Sequence, residues 1–161
     1  MAKRKIVTGE DNPILRGKAK AVQKFDGALK RLVKDMKETL VAAGGLGLAA
    51  PQVGESLRVF IIVMNYGKAE ERIVAMVNPI VTMAGKELEV AEEGCLSLPG
   101  LFGKVARNRR VCVEFFDVDG NRQSLELESL NAREVQHEND HLDGVLFIDK
   151  VGKKEEMNYL M

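Results

Sequence analysis

The sequence predicts an α+β fold, with mixed, mainly antiparallel sheets packed around a C-terminal helix and a further helix near the N-terminus. Three observations predict it. Residues 25–43 carry apolar side chains at helical spacing. Residues 58–128 contain short apolar strands separated by turn signals. Residues 130–142 return to helical composition and hold both histidines of the chain. Hairpin-like links between the strands favour antiparallel pairing over a doubly wound sheet.

Phe25, Leu29, Leu32, Val33, Met36 and Leu40 recur three and four apart, which defines one face of the first helix. Asp26 is a candidate cap at its start, and Gly44-Gly45 ends it. Next comes a turn, GGLGLAAPQ, too apolar for a solvent-exposed loop. Residues 58–64 (RVFIIVM) read as a buried strand. Residues 73–83 and 86–92 read as further strands around a turn at Ala84-Gly85. Residues 110–117 and 122–128 form a hairpin, because Asp119-Gly120-Asn121 is a strong turn signal. In the last helix, Ser129 and Asn131 are candidate caps, Asn131 and Glu134 have capping-box spacing, and Gly144 suits the end.

With 161 residues and no repeat or linker, the chain fits a single domain spanning 1–161. It is long enough to bury a core without disulfides. Lys+Arg and Asp+Glu are both 24, so the basic footprint expected of a nucleic-acid binder is missing. Cys95 and Cys112 form no C-x-x-C pair, which favours a reducing compartment. The basic start MAKRK has no apolar run behind it and does not read as a signal peptide. No apolar stretch is long enough to span a bilayer. These features point to the cytosol, or to an organelle after a targeting segment is removed.

The strongest chemical signal is His137-Glu138-Asn139-Asp140-His141. Residues four apart on a helix share a face, so two imidazoles can reach one cation. Glu138 lies beside them, where it can hold a water and move its protons, as in H-E-x-x-H zinc hydrolases. The bland alternative is a surface helix with two unremarkable histidines. A catalytic site also needs a third protein ligand and an open position for water. Asp140 is rotated about 100° from His141 and is better placed to orient a ligand than to bind. Cys95, in EEGCLS where the chain leaves a strand and enters a turn at Pro99-Gly100, offers a thiolate that suits a borderline metal. A buried apolar cysteine is the other possibility for it. Cys112, alternating in VCV, reads as sheet interior. Gly45 to Gln52 reads either as a tight helix-to-strand connection or as a glycine-rich approach to a ligand, with the Gln52 amide as an oxyanion donor.

Together, Gly45 to Gln52 (GLGLAAPQ), Glu93 to Ser97 (EGCLS) and Gln136 to His141 (QHENDH) resemble the peptide deformylase family in order and spacing. The likeness runs from Ile14-Leu15-Arg16 to Phe147. It implies hydrolytic removal of the N-formyl group from the formylmethionine of new polypeptides, releasing formate. It also implies that Cys95, His137 and His141 bind one divalent metal, iron(II) in the cell, with zinc, nickel or cobalt possible in purified protein. By the same resemblance Glu138 is base and then acid, and Gln52 and the Leu96 backbone N–H form the oxyanion hole. Backbone near Gly47 and Gly94 pairs with the extended substrate, and Leu46 and Leu130 shape the methionine pocket. The resemblance leads to a monomer in the bacterial cytoplasm, or in an organellar stroma or matrix, working on nascent chains near the ribosomal exit tunnel.

Two positions depart from that pattern. Glu134 stands where an apolar pocket residue is expected. It either caps the helix start or reaches Arg133, Arg107 or solvent, which is the favoured expectation, or it rims a pocket of altered preference. Phe102 stands where many relatives carry a polar residue near the substrate entrance. Arg107 matches a recurrent arginine of the family, and Lys153 to Glu156 read as a solvated face. The competing enzyme is a zincin-like metallopeptidase, whose third ligand is a downstream His or Glu; no histidine follows His141, and Glu155 and Glu156 remain but lie in a polar tail. A module that stores metal without catalysis, and a hydrolase with a cysteine nucleophile, are the remaining alternatives.

Overall fold

The computed structural model describes residues 3–152 and 157–159. Its scaffold is a five-stranded antiparallel sheet. We label the strands β1 (Gly47–Ala49), β2 (Val59–Met64), β3 (Arg72–Met83), β4 (Leu88–Cys95), β5 (Leu98–Asn108), β6 (Arg110–Phe116), β7 (Arg122–Glu128) and β8 (Met157–Tyr159). The helices are α1 (Pro13–Arg16), α2 (Gly27–Ala43) and α3 (Ser129–Leu142). The large sheet runs β1-β2-β3-β6-β7, and a smaller one runs β4-β5-β8.

β2 explains why its sequence is apolar throughout. All six of its residues are buried, because the sheet is covered on both faces. Phe60, Ile62 and Met64 pack in a cluster with Ala132, Val135 and Leu142 of α3. Val59, Ile61 and Val63 alternate into a cluster with Leu29, Leu32, Met36 and Leu40 of α2. A third cluster joins Leu15, Leu98, Val105, Leu146 and Phe147 at the small sheet. Burial of this kind contributes roughly 1.5–3 kcal/mol for each large apolar side chain. The central helix α3 is therefore held from below by β2, with β1 and β7 also against it.

The helix α2 starts at Gly27, two residues later than its apolar spacing suggests. The Asp26 side chain accepts from the Leu29 N–H at 3.1 Å, and Gly44 ends the helix in the left-handed conformation. Phe25 stays outside the helix and meets Phe116 edge-on. The expected turn after α2 is instead the short edge strand β1 followed by a 3-10 turn, Ala50–Val53. The β5 strand was not anticipated, since Pro99 and Gly100 read as a turn; both are accommodated at its start, beside the irregularity between Gly94 and Cys95. Cys112 is a correction. Val111 and Val113 point into the core, so Cys112 faces the other side of β6 and is only half-buried.

The cap of α3 also differs from expectation. Neither Ser129 nor Asn131 caps it: the position before the helix is Glu128, with no side-chain cap bond. Asn131 instead accepts from the Asn65 backbone N–H and donates to the Asn65 side chain. Gly144 follows the end as expected. Its φ is +76°, and a Cβ there would strike the Arg16 carbonyl oxygen. Lys153 to Glu156 lie outside the described residues.

Candidate metal centre

The helix α3 delivers His137 and His141 from one face, one turn apart, with ring centroids 5.2 Å apart. The end of β4 delivers Cys95. Its sulfur lies 3.3 Å from His141 Nε2. The Cys95 sulfur and one nitrogen from each histidine all lie within 4.8 Å of one another. A thiolate and two imidazoles form a donor set that suits a borderline divalent cation. His141 is 1% exposed, and burial lowers its pKa well below the ordinary value, which keeps the ring neutral and its nitrogen available. Burial also opposes charge on His137, but hydrogen bonds to Cys95 and Glu93 outweigh it and raise that pKa. Proton and cation compete for the same donors, so metal affinity weakens as pH falls.

Glu93 orients His137. One carboxylate oxygen sits 2.8 Å from His137 Nδ1, so this nitrogen is engaged and Nε2 is left toward the cluster. Glu93 is itself held by Arg107, which donates to both oxygens at 2.9 Å, and by Arg133 at 2.5 Å. Arg107 donates in addition to Asp140 at 2.6 Å. Burial would raise the Glu93 carboxyl, yet these hydrogen bonds and positive charges hold it far below the usual range. Asp140 thus supports the arginine, in keeping with its orientation away from the ligands.

Gln52 is fixed by three bonds. Its Oε1 accepts from the Ala49 N–H at 2.9 Å, which turns Nε2 toward Ser97 Oγ at 3.1 Å and Cys95 Sγ at 3.5 Å. An amide N–H is therefore presented beside the sulfur. Glu138 is 4% exposed, with Oε2 4.0 Å from His137 Nε2 and no hydrogen-bond partner for Oε1 among the described residues. Burial pushes its pKa up to about 7, against the pull of His137. Gly47 packs directly on it: a Cβ there would come within 2.5 Å of Glu138 Oε2.

A cavity of about 470 Å³ opens onto this cluster. Leu46, Gly47, Gly94, Leu96, Leu130 and Glu134 line it, and Gln52, Cys95, His137 and Glu138 share its wall. His141 lies buried at the cluster. Phe102 also reaches the cavity, its ring over Gly94. Glu134 corrects the favoured expectation. It caps nothing and reaches neither arginine nor solvent: it is 6% exposed, and among the described residues both its oxygens lack a partner. Arg133 and Arg107 are committed to Glu93 instead.

The family model for polypeptide deformylase matches residues 3–157. The chain belongs to the polypeptide deformylase family. The peptide deformylase of Caldicellulosiruptor bescii is 50% identical over 152 residues, covering 94% of this chain and 87% of that protein. That of Thermotoga neapolitana is 48% identical over 140 residues, covering 87% and 82%. The crystal structure of the deformylase from Thermotoga maritima superposes with a TM-score of 0.87 at 43% identity, covering 94% of this chain and 99% of that one. The deformylase resemblance was thus legible from three motifs, but the role of Glu93 as partner of His137 was not. A signal existed: Glu93 is two residues before Cys95 on a strand, a spacing that puts both on one face.

Proposed function

We propose that this chain removes the formyl group from the N-terminal formylmethionine of nascent polypeptides, as a metal-dependent hydrolase that releases formate. Family membership supports the activity, and one observation carries it to particular residues. The sulfur of Cys95 and nitrogens of His137 and His141 converge within 4.8 Å at a cavity that also holds Glu138 and the Gln52 amide. Cys95, His137 and His141 would hold the ion. A divalent cation held there would supply a water made acidic near neutral pH and polarisation of the formyl carbonyl.

Glu138 takes the proton from the attacking water and passes it to the leaving amine nitrogen. Gln52 Nε2 and the Leu96 N–H donate to the oxygen of the formyl group as it gains charge. The extended substrate pairs with backbone near Gly47 and Gly94, adding as a strand. Its first side chain enters between Leu46, Leu130 and Glu134. Glu93 sets the direction of the His137 ring. Residues 1–161 act as a single catalytic domain and as a monomer. The ion in the cell is iron(II), with zinc, nickel or cobalt able to enter the same donors in purified protein. Among the described residues no helix is long and apolar enough to cross a membrane. Work on nascent chains places the protein in the bacterial cytoplasm, or an organellar stroma or matrix, near the ribosomal exit tunnel.

Anaerobically purified protein is expected to release formate from formyl-Met-Ala-Ser. A chelator should abolish turnover, and added iron(II) should restore it. Turnover by protein shown to be metal-free by elemental analysis would point to Cys95 as a nucleophile and sink the proposal. Replacing Gln52 with alanine should lower kcat by about 10²–10³-fold with little change in metal content. An unaltered kcat would remove Gln52 from the oxyanion role. The endopeptidase reading would need a further ligand such as Glu155 or Glu156, which lie outside the described residues; Cys95 is already within reach.

A further inference from the structure

One group in the cavity is not used by the chemistry above. Leu130, Glu134 and Glu138 follow one another at four-residue spacing along α3, and all three line the cavity. Leu130 is 41% exposed at the outer end of this row, and Glu138 sits beside the metal ligands at the inner end. Glu134 lies between them, buried, with both oxygens unpartnered among the described residues. Its neighbour Arg133 is not available to it, because the guanidinium is bound to Glu93, to Val105 O at 3.0 Å and to Glu89 O at 2.7 Å. Burial and the charge of Glu138 push the Glu134 carboxyl up to about 9.

A buried polar group with no partner is destabilising, and a ligand group that pairs with it recovers that loss. A purely hydrocarbon chain in the same place leaves the group unpaired and recovers nothing. We propose that Glu134 is a specificity-determining residue that favours formyl peptides whose first side chain ends in a hydrogen-bond donor over those with an all-carbon chain of similar length. The inference rests on the placement of that side chain in this cavity given above. A carboxyl group accepts through its carbonyl oxygen when neutral and through both oxygens when ionised, so a donor is recognised in either state. Leu46 and Leu130 supply the apolar walls that hold the methylenes of a linear side chain.

The test uses metal-loaded enzyme and formyl-X-Ala-Ser peptides with X as methionine, norleucine, glutamine or lysine. The kcat/KM for formate release is measured for wild type, E134L, E134M and E134Q. The glutamine-to-norleucine ratio should fall by about 10-fold or more in E134L and E134M. E134Q, which keeps an acceptor carbonyl, should stay near the wild-type ratio. Two apolar variants guard against one that fails to fold. If the ratio is the same in wild type and in either active apolar variant, the inference is overturned while the deformylase activity stands. Absence of formate release from every peptide by the wild type would overturn both.

Discussion

Replacing Glu138 with alanine is expected to reduce formate release by about 10²–10⁴-fold while the metal stays bound. The reason is its place beside the donors, with Oε2 4.0 Å from His137 Nε2 and Oε1 free of any partner among the described residues. Such a buried, unpaired oxygen beside the donors is free to take a proton. Glu138 is separate from Cys95, His137 and His141, whose candidate donor atoms lie within 4.8 Å of one another, so truncating it leaves that set intact. The pH profile carries a second signature. A proton acceptor works only when ionised, so activity is lost as pH falls through its pKa. Burial puts that value at about 7, and a neighbouring cation pulls it lower, so the acidic limb lies at or below pH 7. The measurements are kcat/KM against pH and metal content of the purified variant. Full turnover in the alanine variant would remove Glu138 from the chemistry; loss of metal together with turnover would make it structural.

The second large effect concerns Glu93. Its replacement by alanine is expected to destabilise the fold by about 3–5 kcal/mol, because two buried guanidinium groups lose their shared carboxylate. Side chains of Glu93 and Arg107 are each 5% exposed, so solvent offers little compensation. Metal affinity should fall by about 10–100-fold, since His137 loses the group that fixes its ring. Urea unfolding and a metal titration read the two effects separately. The wild type should show the same dependence through acid. Because the folded carboxyl is held well below its unfolded value, the stabilisation is fully present above about pH 4–5 and is lost as pH falls toward the folded pKa. An E93A protein with unchanged stability and metal affinity would refute this account of the network.

The sequence carried the chemistry further than it carried the strand plan. Two histidines four apart on a helix must share a face, whatever the rest of the chain does, and the continuous apolar run of β2 had to be covered on both sides. Local rules failed where tertiary contacts compete with them. Asn131 has capping-box spacing, but Asn65 offers it a backbone donor at 3.0 Å from another loop. Pro99 and Gly100 read as a turn, yet β5 runs through them because pairing with β4 continues on either side. Cys112 alternates with valines, and alternation alone cannot say which face is inside.

Glu134 marks the boundary most clearly. From the sequence, a carboxylate one turn before His137 was expected to find a cap, a neighbouring arginine or solvent, because an unpaired buried charge is costly. Only the fold shows that both arginines are already engaged by Glu93 and that the helix face turns inward. By itself the sequence determined the periodicities, the helix that carries the histidines and the identity of the candidate donors, since these depend on residues near one another or on motifs. Tertiary structure decided which distant side chains meet: Cys95 with His141, Glu93 with His137, Gln52 with Cys95. Such pairings depend on how the sheets and α3 pack as a whole, and no local stretch of chain encodes that distance.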